Sequence, residues 1–264
     1  VRDLVHRHSG LFFDDDKKYF VEKRVENRME QLGIAQIEQY IRCLETDVCG
    51  GEMRSLVEEL TVNETYFFRN KPQLDGFSAK VLPQLIEAKR SVNNLSLRIW
   101  SAACSTGEEA YTLAMIVHEA LIDIAQWRVM VLGTDIDRKV LRTAHRAVYT
   151  KRPVEHVPPQ LLARYFVQTD NTWQVVQEIT KHVQFRQINL VDKHEMRNMR
   201  DFDVIFCRNT LIYFNDASRR QVLNHFYDAL RPGGLIFLGH SESVGQITAA
   251  FRIVRLGDFL CYAK

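Results

Sequence analysis

The 264-residue sequence lacks several features that would each have placed it at once. No apolar run approaches the roughly 20 residues needed to cross a bilayer, and no signal peptide opens the chain, so neither membrane insertion nor secretion is expected. The first residue is Val1, not Met, and the sequence therefore reads as a mature fragment or as a domain of something longer. Cys43, Cys49, Cys104, Cys207 and Cys261 are odd in number and show no CxxC spacing. That favours a reduced, cytoplasmic setting over a disulfide framework and speaks against a zinc site. The formal charge is only +2, and stretches such as "DDDKKYFVEKRVENRME" mix both signs as a solvated helix face does. Nothing in the charge points to nucleic acid as a partner. There is no internal repeat and no low-complexity segment.

What is present falls into two periodicities. Up to about residue 60 the apolar residues recur at helical spacing. Tyr19, Phe20, Val25, Met29 and Leu32 form one stripe, with Gly33 as its C-cap; Ile37, Tyr40, Ile41 and Leu44 form a second, and Met53, Leu56, Val57 and Leu60 a third. After residue 95 short β-rich runs alternate with helices: strands over 97–102, 128–135, 182–187, 202–207 and 234–239, helices near 107–122, 138–146 and 217–230. This alternation predicts an α/β doubly wound, Rossmann-like, mostly parallel sheet. The tail "FRIVRLGDFLCYAK" places two runs around "GD" at 257–258, a hairpin signal that closes the sheet with an antiparallel pair. "TWQVVQEITKHVQF" (172–185) alternates like a small antiparallel excursion, giving a β subdomain near 167–187. The expected organisation is a small all-α domain over 1–60, a linker and helix over 61–95, and the α/β domain over 96–264.

The turn "SAACSTGEE" after the first strand sits where an open sheet binds its ligand. Ala102, Ala103, Cys104, Ser105, Thr106 and Gly107 are all small, so backbone can approach an adenosine-type ligand closely. A phosphate loop needs glycines that are missing, and Glu108 and Glu109 would repel a phosphate at that helix start. A cationic or zwitterionic ligand fits better; simple helix capping by Ser105 or Thr106 is the competing reading. "VLGTDID" (131–137) adds Asp135 and Asp137 after the second strand, where an acid can accept both hydroxyls of a ribose; Asp137 also reads as a cap for the helix at 138–146.

With these elements in order, the sequence resembles the CheR-type chemoreceptor glutamate methyltransferases, within the class I S-adenosylmethionine-dependent methyltransferases. The resemblance is carried by "TVNETYFFRN" (61–70), "RIWSAACSTGEEAYTLAM" (98–115), "VLGTDID" (131–137), "VQFRQINLVD" (183–192), "FDVIFCRNTLIYF" (202–214) and "LRPGGLIFLGHSES" (230–243). It implies S-adenosyl-L-methionine as cofactor, S-adenosyl-L-homocysteine as product, and a segment over 61–95 that closes the cofactor site. It places cofactor contacts on Asn63, Thr65, Arg69, Ala102, Gly107, Glu108, Glu109, Asp135, Asn189, Leu190, Arg208 and Asn209. Of the two glutamates Glu108 is favoured, with Glu109 the alternative. Asp135 takes the ribose, Asn189 and Leu190 the adenine side, and Arg69 the methionine carboxylate. Tyr213 and Arg208 are implied at the catalytic centre, although "LIYF" also reads as core; His240 reads as structural.

A glutamate carboxylate is already ionised at neutral pH, with an unperturbed pKa of about 4.3, so positioning should dominate and no general base is needed. "CRNT" lacks the Asn/Asp-Pro-Pro-aromatic motif common in amine-directed methyltransferases of this fold. An arginine at the mouth, Arg208 or Arg69, suits an anionic substrate. The implied partner is the cytoplasmic domain of a chemoreceptor. Tethering through a carboxyl-terminal pentapeptide is not expected, because 167–185 is short and without glycine. Lys23, Arg24 and Arg28 offer a local basic face for an acidic receptor, or simply pair with Glu26 and Glu30. The rival readings are a catalytically silent S-adenosylmethionine or S-adenosylhomocysteine sensor and a small-molecule or RNA methyltransferase.

Overall fold

A computed structural model describes every residue except 47–50, 245–246 and 257–258. The chain opens with helices α1 (Arg2–Ser9), α2 (Lys18–Leu32), α3 (Ile37–Thr46) and α4 (Glu52–Leu60). Gly33 caps α2 in the left-handed conformation, its N–H donating to the Glu30 carbonyl. The predicted stripe on α2 packs inward at Phe20, Val25 and Met29, and its two ends, Tyr19 and Leu32, are exposed. Val21 and Val25 are buried, while Tyr19 is left 74% exposed, because it lies at the first turn where the bundle no longer reaches it. Arg28 continues the inward side. Its guanidinium donates to both oxygens of buried Glu52 (3.0 and 2.5 Å), which also accepts from the Tyr40 hydroxyl (2.7 Å). Arg28 therefore pairs with neither Glu26 nor Glu30, and is not part of a free basic face.

After α4 the chain passes through α5 (Lys71–Gly76) and a π-helical turn, Phe77–Val81, into α6 (Leu82–Ser91). It then builds the main sheet. Strands β1 (Ser96–Ala102), β2 (Arg128–Asp135), β6 (Val183–Gln187), β7 (Phe202–Cys207) and β8 (Leu230–Leu238) are mutually parallel, and β9 (Arg252–Leu256) with β10 (Phe259–Ala263) adds an antiparallel pair. The order is β6-β2-β1-β7-β8-β10-β9. The doubly wound class and the antiparallel ending are as predicted; the "GD" turn itself lies outside the described residues.

A small second sheet, β3 (Val148–Tyr149), β5 (Thr172–Val175) and β4 (Phe166–Thr169), is antiparallel, with helices α9 (Lys151–Val154) and α10 (Pro159–Tyr165) leading into it. It does not run on to residue 187. Beyond Val175 the alternation passes into helix α11 (Gln177–Thr180) and then β6 of the main sheet, because a period of two looks the same whichever sheet the strand joins.

Both faces of the parallel strands are covered, which is why they read as apolar runs. Ile99, Val131, Val204, Phe206 and Phe237 face α7 (Glu108–Ala120) and α5–α6. Trp100, Leu132, Ile205 and Leu238 share a core with Phe226 of α13 (Asp216–Ala229) and with Val5, Leu56 and Leu60 of the amino-terminal helices. The helical domain is thus packed on the same core as the sheet. Cys104, Cys207 and Cys261 are buried free thiols, and Cys43 is disulfide-bonded. Among the described residues no helix is long and apolar enough to cross a membrane.

Candidate active site

From β1 the chain winds outward through β2 to β6, then returns to place β7 on the other side of β1. At such a switch point the loops leave to opposite sides and open a crevice at the carboxyl ends of the strands. A cavity lies there, walled by the turn after β1, the ends of β2, β6 and β7, the 60–69 segment, and Ser9 and Leu11 from the end of α1.

The turn after β1 has one glycine but three left-handed residues: Ala103 (φ 57°), Ser105 (50°) and Gly107 (96°). Two of these carry a Cβ, at about 1–2 kcal/mol each. The neighbouring β2 end holds them: the Cys104 N–H donates to Thr134 O and the Ser105 N–H to Asp135 Oδ2, both at 2.8 Å. Gly107 is required on a second count, since a Cβ there would lie 2.9 Å from the Ala144 Cβ.

The two adjacent glutamates separate at this turn. Glu108 points into the protein at 1% exposure, where the Thr106 hydroxyl bonds its carboxyl and burial pushes its pKa up to about 7. Glu109 faces the cavity. Its Oε1 accepts from the Ser101 hydroxyl (2.7 Å) and its Oε2 from Arg208 Nε (2.6 Å). The preference for Glu108 is therefore reversed in the geometry. Arg208 also donates through Nη1 to the Arg69 carbonyl (2.8 Å), so its guanidinium is held by the protein rather than presented at the mouth.

Asp135 is buried at the cavity wall, accepting from the backbone N–H groups of Ser105 (2.8 Å) and Asp137 (3.0 Å); burial raises its pKa to about 6. Asp137 caps α8 (Arg138–Arg146) through the N–H groups of Lys139 and Val140, and its other oxygen accepts from the Asn63 amide at 2.9 Å. Capping and site-building thus coexist in one side chain: Asp137 ties the 61–63 segment over the cavity. Asn189 and Leu190 line the end beside Ile136 and Ile188, and the Asn189 amide donates to His8 O (2.6 Å).

Beyond β7, residues 208–213 form a loop hung on a single carboxylate. Glu242 accepts from the N–H groups of Gly239 (2.6 Å), Asn209 (2.9 Å), Thr210 (2.8 Å) and Ile212 (3.3 Å). The loop presents Asn209, whose buried amide oxygen has no hydrogen-bond partner, and half-buried Tyr213. Burial raises the Tyr213 pKa and the positive charge of Arg69 opposes that rise. The amino-terminal domain closes this side: Leu11 forms an antiparallel bridge with Phe214, and the Phe12 N–H donates to the Tyr213 carbonyl at 2.8 Å.

Of the residues singled out in the sequence, Asn63, Thr65, Arg69, Glu109, Asp135, Asn189, Leu190, Arg208, Asn209 and Tyr213 meet at the cavity; Ala102, Gly107 and Glu108 do not line it. His240 is exposed and outside it. Sequence reasoning missed Ser9, Leu11, Ser101 and Glu242. Gly10, the left-handed C-cap of α1, was the available signal for the first two, and the acid in "GHSES" for the last.

A crevice at the switch point of this sheet, floored by small residues and lined by carboxylates, is where a doubly wound fold takes its ligand. The family model described as "CheR methyltransferase, SAM binding domain" matches residues 63–259, and "CheR methyltransferase, all-alpha domain" matches residues 1–61. The chain belongs to the CheR methyltransferase family. It is similar to chemotaxis protein methyltransferase 2 of Vibrio cholerae, at 36% identity over all of this chain and 91% of that protein. It is similar also to the chemotaxis protein methyltransferase of Escherichia coli, at 33% identity over 96% of this chain and 86% of that one.

Proposed function

We propose that the chain transfers the methyl group of S-adenosylmethionine to glutamate side chains on the cytoplasmic part of a chemoreceptor, acting in the cytoplasm. The observation that carries the reading is the state of the cavity's titratable groups. No histidine or lysine is among its described lining residues, Glu109 is engaged by Ser101 and Arg208, and Asp135 by two backbone N–H groups. Glu64, the remaining lining carboxylate, is paired with Arg152, so each acid of the site already has a partner, and an acceptor that is itself an anion needs no base. The names of the relatives place them in chemotaxis.

The residues suit the cofactor on their own chemistry. Asn209 brings a buried amide oxygen without a partner, and Asp135 and Glu109 retain acceptor capacity beyond the bonds they make. When bound, S-adenosylmethionine supplies an electrophilic methyl group on a sulfonium. Asp135 receives the ribose hydroxyls, Asn189 and Leu190 flank the adenine, and Glu109 faces the amino end. Asn63 and Thr65 form the strap over it. With Arg208 committed to Glu109, it acts as a positioning residue. Arg69 is left as the cation at the mouth, first for the methionine carboxylate and beyond it for the incoming substrate. Tyr213 stands beside it to shape the approach and exclude water. Ala102, Gly107 and Glu108 hold the turn from behind. The β4–β5 turn at 170–171 contains no glycine, which supports a receptor engaged without pentapeptide tethering.

The test is incubation with methyl-labelled cofactor and a receptor cytoplasmic fragment, followed by mild alkali. Label released as methanol is expected, since a carboxyl methyl ester is base-labile. Cofactor binding without transfer would identify a silent sensor, and alkali-stable label on nitrogen or RNA would overturn the glutamate assignment.

A further inference from the structure

The cavity is lined by Val62 to Tyr66 and Arg69 from one segment and by Asn209, Thr210, Tyr213 and Phe214 from another, the latter joined through the Leu11–Phe214 bridge to the short strap that follows α1. Both sides carry large apolar side chains standing in water. Phe12 is 45% exposed, Ile212 39% and Val62 54%. Two of them are fixed in place by backbone bonds: the Phe12 N–H to the Tyr213 carbonyl at 2.8 Å, the Ile212 N–H to Glu242 at 3.3 Å. Single exposed apolar residues are ordinary on any surface. These are distinguished by position, because Tyr213, which follows Ile212 and is bonded to Phe12, itself lines the cavity.

A carboxylate delivered past Tyr213 passes beside Ile212, its chain neighbour, and Phe12, its hydrogen-bonded neighbour. A free amino acid would leave the three side chains wet, whereas a polypeptide bearing the acceptor would cover them and gain their burial. The rim's charged members point the same way. Arg69 lies inside it, held by its Nη1 bond to the Glu64 carbonyl (2.6 Å), and the Glu64 side chain is paired with Arg152 (3.1 Å), so no unpaired carboxylate of this segment opposes an acidic acceptor between the apolar flanks.

We propose that Phe12, Ile212 and Val62 form the docking rim for the protein substrate, and that the rim selects a glutamate with apolar side chains beside it. The inference rests on the reading of the acceptor given above. It makes the amino-terminal domain, through Phe12, a direct contributor to substrate choice.

The test uses the full chain with Phe12→Ser and Ile212→Ser combined, Val62→Ser alone, and Ile122→Ser as a control at the far end of α7, where Ile122 is fully exposed. Initial rates of base-labile ester formation are measured against receptor-fragment concentration, and cofactor Kd by titration calorimetry. The expected result is a KM for the fragment raised by roughly tenfold or more in the double variant, the scale on which interface anchors act. In the double variant, neither of whose side chains lines the cavity, kcat and cofactor Kd stay at wild-type values, as does every parameter of the control; Val62→Ser raises the KM in the same direction and, because Val62 also lines the cavity, shifts cofactor Kd with it. An unmoved KM, an equal rise in the control, or a loss confined to kcat and cofactor affinity would overturn the rim. Wild-type chain that forms no ester at all would instead overturn the glutamate assignment, and the rim with it.

Discussion

Glu108 holds its proton more tightly in the folded protein than in the unfolded chain, because burial raises its pKa to about 7, outweighing the Thr106 hydroxyl and the backbone N–H that favour its charge. The folded state therefore binds more protons between about pH 4.5 and pH 7. The stability tied to this group is fully present below the unfolded value and is lost as pH rises through 7. Glu108→Gln removes that loss. Urea melts should find the variant more stable than wild type at pH 8 by up to about 3 kcal/mol, with the difference closing towards pH 4.5; an equal difference at both ends would refute the origin given. The sequence makes legible that two acids sit at this helix start at the mouth of the ligand crevice. Which one was not legible, because the choice is made by Arg208, 99 residues further on, together with Ser101 at the end of β1. Asp135 was readable because its place follows from strand order alone.

At the scale of elements, the 208–213 loop is the instructive case. The run "FDVIFC" announces β7, and the loss of apolar periodicity after it announces a loop, but nothing local says what shape that loop takes. The shape comes from Glu242, whose two oxygens collect four backbone N–H groups. A glutamine accepts through one oxygen only and turns its amino group towards donors. Glu242→Gln should lower kcat by about 10- to 100-fold, the penalty for misplacing groups by around an ångström. Far-ultraviolet circular dichroism should be unchanged, and Glu242→Asp should recover part of the rate. A variant with wild-type kcat would sink this role. In the same motif His240 draws attention by type yet is exposed, whereas the acid two positions later holds the loop. The small antiparallel sheet was mis-extended for a related reason: alternation reports strand, not partner.

For the molecule as a whole, strand order and the two periodicities are legible in the sequence, and the seam between the helical domain and the sheet is not. That seam depends on Gly10. It has φ 76°, and a Cβ there would lie 2.6 Å from Val191 Cγ1 and 3.0 Å from the Phe214 ring. Gly10→Ala should cost about 1–3 kcal/mol through overpacking and strain. It should lower the melting temperature and weaken cofactor binding together, as scanning and titration calorimetry would record; loss of one without the other would separate the seam from the pocket. Ser9 and Leu11, on either side of that glycine, wall the cavity from the helical domain while Asp135 and Asn209 wall it from the sheet. A ligand held between two bodies makes its own release and their parting a single linked equilibrium. Each tenfold rise of cofactor above its Kd should then add about 1.4 kcal/mol against separation, so the amino-terminal helices are expected to resist limited proteolysis the more, the higher the cofactor concentration.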